Sequence, residues 1–277
     1  MEKNEVFFTS NRLGNTSTAD QYTEISKIDL STGDVTIVNP KPPILLANGG
    51  TYHDGKVIIC SQGQRDIGGS IVSLDPYSNE ATTVVDNFFG LKFNSPNDIV
   101  ISKDGSYWFT DPSYGYEQKF RDSPQLGEYV YRFDPFIKNI RVIADGFVKP
   151  NGIAFSPDEK TLYITDTGFF TSSGEYDPMR PHVIYAFDVN SDKNLSNRRV
   201  FAVTDVGIPD GIKLDVKGNV YTGTGDGVQV FDSSGTLLGK IIIPNSVANF
   251  VFAKNTLVIL WETTIYEVNL LIEGALK

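Results

Sequence analysis

The sequence has 277 residues, of which 40% are hydrophobic and 21% charged, and it contains 18 Phe and 13 Tyr. This is the composition of a folded globular chain and excludes general disorder. A formal net charge of -10 repels nucleic-acid phosphates and anionic lipids, so we expect no nucleic-acid partner and no membrane partner.

The first predicted elements are three strands close to the start of the chain. Val6-Phe7-Phe8-Thr9 predicts a buried strand, and the segments "ISKIDL" and "VTIVN" predict two more. They correspond to the second, third and fourth strands of the repeat that follows. We therefore expect the first sheet to lack its inner strand.

A four-stranded repeat occupies most of the chain. Each copy has a small polar leading residue, an alternating apolar strand, a turn, a second strand, and then two further strands. The four copies begin with "ANGGTYHDGKVIICSQG", "PNDIVISKDGSYWFTDPS", "PNGIAFSPDEKTLYITDTG" and "PDGIKLDVKGNVYTGTGDG". Three more strands, "VANFVFAKN", "TLVILWETT" and "IYEVNL", follow them.

The leading residues give the repeat its length. Asn48, Asn97, Asn151 and Asp210 are separated by 49, 54 and 59 residues, and Asn249 is a fifth candidate 39 residues further on. These intervals suit a propeller blade, which is a four-stranded antiparallel sheet with short hairpins. The sequence therefore predicts an all-β fold, a six-bladed β-propeller in a single domain over residues 1–277, with the blades at the N- and C-terminal closure incomplete.

In a propeller the inner strands line the central channel, so the leading residues are expected to converge at its mouth. Asn97, Asp98, Asn151 and Asp210 are hard oxygen donors that suit calcium or another hard divalent cation. The alternative is that each is an ordinary turn residue before Gly. Three of them follow Pro at the same place in successive repeats, which favours function. Asp111, at the end of "FTDP", is open to both interpretations.

At these residues the sequence resembles the SMP-30/gluconolactonase/luciferin-regenerating-enzyme family, especially its fungal gluconolactonase-like members. The segments "NSPNDIVISKDGSYWFTDPSYG", "KPNGIAFSPDEKTLYITDTG" and "GIPDGIKLDVKGNVYTGTGDGVQVFD" are typical of that family. The resemblance implies a lactone hydrolase that holds calcium, or another divalent cation such as Zn²⁺ or Mg²⁺. It implies Asn151 and Asp210 as metal ligands, and Asn97 with the neighbouring Asp98 as substrate-binding residues.

The resemblance also implies a further metal ligand, a Glu in a Glu-Gly-Pro segment on an inner strand. This sequence has no such segment, and Glu2 and Glu5 lie too close to the first strand to be its equivalent. In the implied mechanism the cation polarises the lactone carbonyl while a carboxylate takes a proton from the attacking water. Asp210 is the first choice for that base and Asp111 is the reserve. The insertion "DPSYGYEQKFRDSPQLGE" is expected to form the lid.

Two alternatives stay open. The missing Glu favours a catalytically impaired propeller that binds a small molecule or a protein, and the fold also admits a metal-free enzyme like the strictosidine-synthase relatives. The expected partner is a small-molecule lactone or ester, and unpaired blade edges favour a homodimer. The single cysteine, Cys60, lies in an apolar run and is expected to be a core residue in a reducing compartment, so a cytoplasmic location is slightly favoured.

Overall fold

The computed structural model describes residues 4–171, 174–261 and 263–275, which form antiparallel β-sheets with one short helix. The chain packs as two compact units, residues 1–142 and 143–277. Within the described residues no helix has the length and apolar character that a bilayer crossing needs.

The first unit contains three sheets. Sheet 1 has the strand order β1-β4-β5, sheet 2 the order β6-β7-β8-β9, and sheet 3 the order β12-β13-β14-β15, with β2-β3 and β10-β11 as small ribbons. The elements are β1 (Glu5–Thr9), β2 (Leu13–Gly14), β3 (Gln21–Tyr22), β4 (Ile25–Asp29), β5 (Val35–Val38), β6 (Ala47–His53), β7 (Lys56–Ser61), β8 (Ser70–Leu74), β9 (Ala81–Val85), β10 (Asn87–Phe88), β11 (Leu91–Lys92), β12 (Ile99–Ile101), β13 (Tyr107–Asp111), α1 (Tyr114–Glu117), β14 (Tyr129–Asp134) and β15 (Asn139–Ala144).

The second unit also contains three sheets. Sheet 4 has the order β16-β17-β18-β19, sheet 5 the order β20-β21-β22-β23, and sheet 6 the order β24-β25-β26. The strands are β16 (Pro150–Phe155), β17 (Thr161–Asp166), β18 (Val183–Val189), β19 (Leu195–Val203), β20 (Ile212–Leu214), β21 (Val220–Thr224), β22 (Gly227–Phe231), β23 (Leu237–Ile242), β24 (Asn249–Ala253), β25 (Thr256–Trp261) and β26 (Thr264–Asn269).

The predicted pattern of four four-stranded and two three-stranded sheets is confirmed. Strand β1 lies against β6, just as β7 lies against β12 and β17 lies against β20. Since β7 and β17 are the second strands of their sheets, β1 occupies the second position, as the sequence predicts. Glu2, which the sequence analysis weighed as a ligand, lies outside the described residues.

The core lies between successive sheets of each unit. Ile25 and Val38 of sheet 1 pack against sheet 2, and Phe109 and Tyr131 of sheet 3 pack against the other face of sheet 2. Because both faces of sheet 2 are covered, β7 is apolar on both faces rather than alternating. Cys60 on β7 is fully buried with a free thiol whose pKa is raised by burial, which confirms it as a core residue.

In the four-stranded sheets the first strand begins at one end, which we call the leading end. Because the strands alternate in direction, the loop between the second and third strands lies at this end, and the other two connections of each sheet lie at the opposite end. At the hairpin of sheet 2, Asp54 and Gly55 both have positive φ, 47° and 77°, as a two-residue Asp-Gly hairpin turn requires. The leading ends of sheets 2, 3 and 4 therefore carry the longer loops, where recognition usually resides, whereas in sheet 5 only two residues join β21 to β22 at this end.

Candidate active site

A β-bulge stands at the leading end of each four-stranded sheet. Two consecutive residues of the first strand, which we call the leading dipeptide, lie opposite one residue of the second strand. The four bulges are Asn48-Gly49 opposite Cys60, Asn97-Asp98 opposite Thr110, Asn151-Gly152 opposite Thr165, and Asp210-Gly211 opposite Gly223. Bulges redirect side chains beside functional sites. These residues therefore lie in bulges of the strands rather than in turns, and their functional role stays a prediction.

Neighbouring leading dipeptides lie in contact within a unit. In the first unit the Gly49 N–H donates to the carbonyl oxygen of Asn97 at 2.9 Å. A Cβ atom on Gly49 would lie only 2.5 Å from that oxygen, closer than real Cβ atoms approach a neighbour. The glycine of the leading dipeptide is thus required by the close approach of the next sheet.

Sheet 6 corrects the fifth leading residue. The Gly211 N–H donates to the Ala248 carbonyl oxygen at 2.8 Å, so Ala248 holds the leading position and Asn249 the second. Asn249 also behaves as Asp98 does, because in both residues the side-chain Oδ1 accepts the N–H of the following residue at 2.9 Å. The interpretation of Asn249 as a leading residue is wrong, since it takes the place that Gly or Asp98 fills elsewhere.

The structure brings Asn151 and Asp210 to adjacent leading positions in the second unit. The Thr165 hydroxyl accepts the Gly152 N–H at 2.7 Å and donates to the Asp210 carbonyl oxygen at 2.9 Å. The Asp210 N–H donates to the Gly223 carbonyl oxygen, so both the N–H and the carbonyl group of Asp210 are hydrogen-bonded. Asn151 is buried and Asp210 is half-buried. This fixed pair of oxygen-bearing side chains is the feature from which a site can be built.

The donor chemistry of this pair suits a hard divalent cation. An amide oxygen and a carboxylate are both ligands that calcium and magnesium use, whereas soft metals prefer thiolates. In the part of the chain that the structure describes, no group of three His, Cys, Asp or Glu residues could hold a metal. Glu5 on β1 pairs with Lys27 at 3.0 Å. The cation would therefore be held by few protein charges.

We expect Gly152→Ala to distort this pair. The new Cβ would lie 2.6 Å from the Asp210 carbonyl oxygen and 2.9 Å from the Ile212 backbone nitrogen. Because these are backbone atoms, the strands must move apart, at a cost of about 1–3 kcal/mol in the free energy of unfolding. Urea denaturation measures the loss. Gly239→Ala is the matched control, since a Cβ there meets nothing within 4 Å; equal losses in the two variants would contradict the close approach.

Asp111 supports the segment before Asn97. Its two carboxylate oxygens accept the backbone N–H groups of Asn94 and Ser95 at 2.9 and 2.8 Å, and the side chain is fully buried. Burial raises the pKa of Asp111 to about 8, although these two hydrogen bonds act in the opposite direction. Asp166 accepts the N–H groups just before Asn151 in the same way, and burial raises its pKa too. Asp111 and Asp166, at the ends of their strands, thus fix the backbone just before Asn97 and Asn151.

The predicted lid at residues 111–128 contains α1 and is tied down at its middle. The Arg121 guanidinium donates to four backbone carbonyl oxygens, those of Arg65, Ile67, Phe93 and Asn94. Near the ends of the loop, the Glu128 carboxylate accepts hydrogen bonds from both the backbone and the hydroxyl of Ser113. The insertion is therefore a docked loop that also fixes the segment leading to Asn97.

Two residues of the second unit were missed by the sequence analysis. Thr165 connects two leading dipeptides, and its place before the strand-end Asp166 is shared by Thr110, whose hydroxyl accepts the Asp98 N–H. Lys149 is only 3% exposed and its Nζ donates to the Phe170 carbonyl oxygen at 2.9 Å. The repeated Thr-Asp pair was a readable signal for Thr165, but a lysine beside Pro gave none.

Comparison with known proteins decides the family. The family profile described as the SMP-30/Gluconolactonase/LRE-like region matches residues 21–266. The chain belongs to this family. Lactonohydrolase oryL of Aspergillus oryzae is 33% identical to this SMP-30/gluconolactonase-like chain over 234 residues, which are 77% of the chain and 53% of that relative. The gluconolactonase of Zymomonas mobilis is 34% identical over 197 residues, 68% of the chain and 51% of that relative.

This SMP-30/gluconolactonase-like chain thus spans about half the length of these two curated relatives. A solved gluconolactonase from Xanthomonas campestris matches 99% of the chain and 85% of its own, with a TM-score of 0.73 and 29% identity. The likeness confirms the predicted fold, an all-β six-bladed propeller in which each sheet is one blade. The roles of Asn97, Asp98, Asp111, Asn151 and Asp210 stay predictions.

Proposed function

We propose that this protein hydrolyses lactones, with Asp210 as the general base and the Asn151–Asp210 pair as the place where a divalent cation is held. The observation that carries the proposal is the hydrogen-bonded link between their leading dipeptides through Thr165. Two of its curated relatives are named as a lactonohydrolase and a gluconolactonase, which supports the reaction class.

The chain supplies a base that is already in position. The backbone of Asp210 is fixed by its hydrogen bonds to Gly223 and Thr165, and its half-buried side chain stands at the leading end of sheet 5. In the proposed step the Asp210 carboxylate accepts a proton from water as the water oxygen bonds to the lactone carbonyl carbon. The ring C–O bond then breaks, and the departing oxygen takes up the proton from Asp210, which gives a hydroxy acid and restores the carboxylate.

A bound divalent cation would supply a positive charge that stabilises the developing oxyanion. The carboxylate of Asp210 and the amide oxygen of Asn151 would hold it, and calcium suits them best, with Zn²⁺ and Mg²⁺ as the other candidates. With one protein carboxylate, the affinity is expected to be low, because calcium affinity rises with the number of charged ligands.

The remaining predicted residues lie in the first unit. The resemblance assigns substrate binding to Asn97 and Asp98, and Asn97 is held at its bulge by Thr110 and Gly49. Asp98 is buried against Gly49, where its Oδ1 accepts the Ile99 N–H. Asp111 stays the reserve base, but its two backbone hydrogen bonds favour a supporting role.

The experiment measures proton release during hydrolysis of glucono-1,5-lactone, before and after treatment with EDTA. Each lactone opened at neutral pH releases one proton, so a pH indicator follows the rate directly. We expect EDTA to abolish the enzymatic rate and added Ca²⁺ to restore it. Hydrolysis that EDTA leaves unchanged would contradict the cation at Asn151 and Asp210, and no hydrolysis of any lactone with Ca²⁺ present would contradict the function.

A second candidate is a propeller that binds a small molecule or a protein without catalysis. It is favoured by the small number of metal ligands, since residues 4–171, 174–261 and 263–275 contain no group of three His, Cys, Asp or Glu residues that could hold a metal ion. This candidate predicts that millimolar Ca²⁺ leaves the melting temperature unchanged. The lactone hydrolase predicts a rise, because a ligand that binds only the folded state stabilises it.

A further inference from the structure

A loop rich in aromatic residues stands beside Asn151. We call residues 167–171 and 174–182, which lie between β17 and β18 at the leading end of sheet 4, the aromatic loop. Its start is tied to the residues before Asn151, because the Thr167 N–H donates to the Lys149 carbonyl oxygen at 3.0 Å. The buried Lys149 Nζ then donates to the Phe170 carbonyl oxygen at 2.9 Å. The position of the loop is thus fixed relative to the leading dipeptide.

Three rings of the aromatic loop pack together. The Phe169 ring stacks on His182 and packs, tilted, against Tyr176, with ring centroids 4.6 and 5.0 Å apart and interplanar angles of 25° and 31°. Phe170 packs against Tyr176 with centroids 5.7 Å apart. The Phe169 backbone is fixed by hydrogen bonds to Asp177 and Pro181 at 2.8 and 2.7 Å. The rings are therefore held in place by the backbone beneath them.

The outer members of this cluster are open to solvent. Tyr176 is 61% exposed and Phe170 is 40% exposed. Of the charged side chains nearby, Arg180 pairs with Asp177 at 3.1 Å, and the exposed Glu175 adds one carboxylate beside Tyr176. The loop consequently presents ring faces and edges to a ligand. Such a surface gains from stacking against a flat apolar group and offers few hydrogen bonds to a polyhydroxylated one.

We propose that the aromatic loop binds a flat apolar ring of the substrate, so that the preferred substrates are lactones fused to or substituted by an aromatic ring. The inference rests on the proposed lactone hydrolysis and adds the substrate class. Stacking on Tyr176 places the substrate ring on the loop that is anchored beside Asn151, while the lactone carbonyl is left for the Asn151–Asp210 pair. Tyr176 is thus a specificity residue and takes no part in proton transfer.

The test compares dihydrocoumarin, an aromatic lactone, with glucono-1,5-lactone, a sugar lactone. For Tyr176→Ala we expect the KM for dihydrocoumarin to rise roughly 3- to 10-fold, the range of an aromatic pair, with its kcat and the kinetics on the sugar lactone unchanged. Tyr176→Phe keeps the ring and should keep the KM. Tyr77→Ala is the matched control, because Tyr77 is 71% exposed in the β8–β9 turn at the opposite end of its sheet.

The outcomes separate the inference from the function. Hydrolysis of both lactones with equal KM changes in Tyr176→Ala, or with none, would overturn the specificity role and leave the hydrolase intact. If wild type opens neither lactone, the proposed function fails. Binding of the aromatic hydroxy acid 3-(2-hydroxyphenyl)propionate, measured by calorimetry, then decides the inference: weaker binding by Tyr176→Ala than by Tyr176→Phe supports the aromatic subsite, and equal binding overturns it.

Discussion

Asp210→Asn is expected to lower kcat for lactone hydrolysis about 10²- to 10⁴-fold, the range for removal of a general base. The amide that replaces the carboxylate cannot accept a proton at neutral pH, and it also removes the charged ligand of the proposed cation. The fold should survive, because the hydrogen bonds of Asp210 to Gly223 and Thr165 use its backbone. Proton-release kinetics at saturating lactone, with thermal melting alongside, measure the two effects separately.

Asp232→Asn is the matched control for this variant. Asp232 lies in the β22–β23 turn of the same sheet, at the opposite end from Asp210, where it accepts the backbone N–H groups of Ser234 and Thr236. Its replacement should cost some stability and leave kcat unchanged. Full activity in Asp210→Asn would remove this residue from the mechanism and favour the metal-free alternative. A loss in both variants would mean that the assay reports folding.

The fold could be predicted because both the strands and the turns of the repeat have recognisable sequence patterns. The leading dipeptides Asn151-Gly152 and Asp210-Gly211 recur because each glycine lies against atoms of the next sheet, where a Cβ has no room. That steric demand fixes a residue type at a fixed place, so the period is visible in the sequence. The strand β7 is readable for a similar reason, since both of its faces are buried and every position but its first is buried.

The parts that could not be predicted depend on side chains and backbones that are distant in sequence. Asn249 has the right residue type one position too late, and only the hydrogen bond from Gly211 to Ala248 reveals the register. The four carbonyl oxygens that accept from Arg121 belong to two separate loops. No local sequence pattern could therefore predict that the insertion at residues 111–128 is docked. For Asp111 the sequence shows only a carboxylate at the end of a strand. The structure is needed to show that this carboxylate binds the backbone N–H groups of Asn94 and Ser95.

We expect Asp111→Asn to lower the free energy of unfolding by about 1–3 kcal/mol at pH 5, the cost of leaving a buried polar group without its partner. The carboxyl group accepts N–H groups from both Asn94 and Ser95. An asparagine offers one oxygen and one NH₂, so one of the two buried N–H groups meets a donor instead of an acceptor. Urea denaturation with linear extrapolation measures the difference between the variant and the wild type.

This difference should depend on pH. Burial raises the folded-state pKa of Asp111 to about 8, above the value of about 3.9 in an unfolded chain. The folded protein then holds the proton more tightly than the unfolded chain, so the contribution of Asp111 to stability is fully present below about pH 4 and is lost as pH rises through about 8. The difference in the free energy of unfolding between wild type and Asp111→Asn should therefore decrease from pH 5 to pH 8.

Asp232→Asn again supplies the control, with the opposite sign. Hydrogen bonds, with that from the Ser234 hydroxyl the strongest, lower the pKa of Asp232, so its contribution is lost only as pH falls through that lowered value. The difference in the free energy of unfolding between wild type and Asp232→Asn should stay constant between pH 5 and pH 8. If the corresponding difference for Asp111→Asn is equally constant, this result would contradict the raised pKa of Asp111. A variant that keeps its stability but loses kcat would instead make Asp111 the base, because a carboxylate that only supports the segment before Asn97 cannot be removed without weakening the fold.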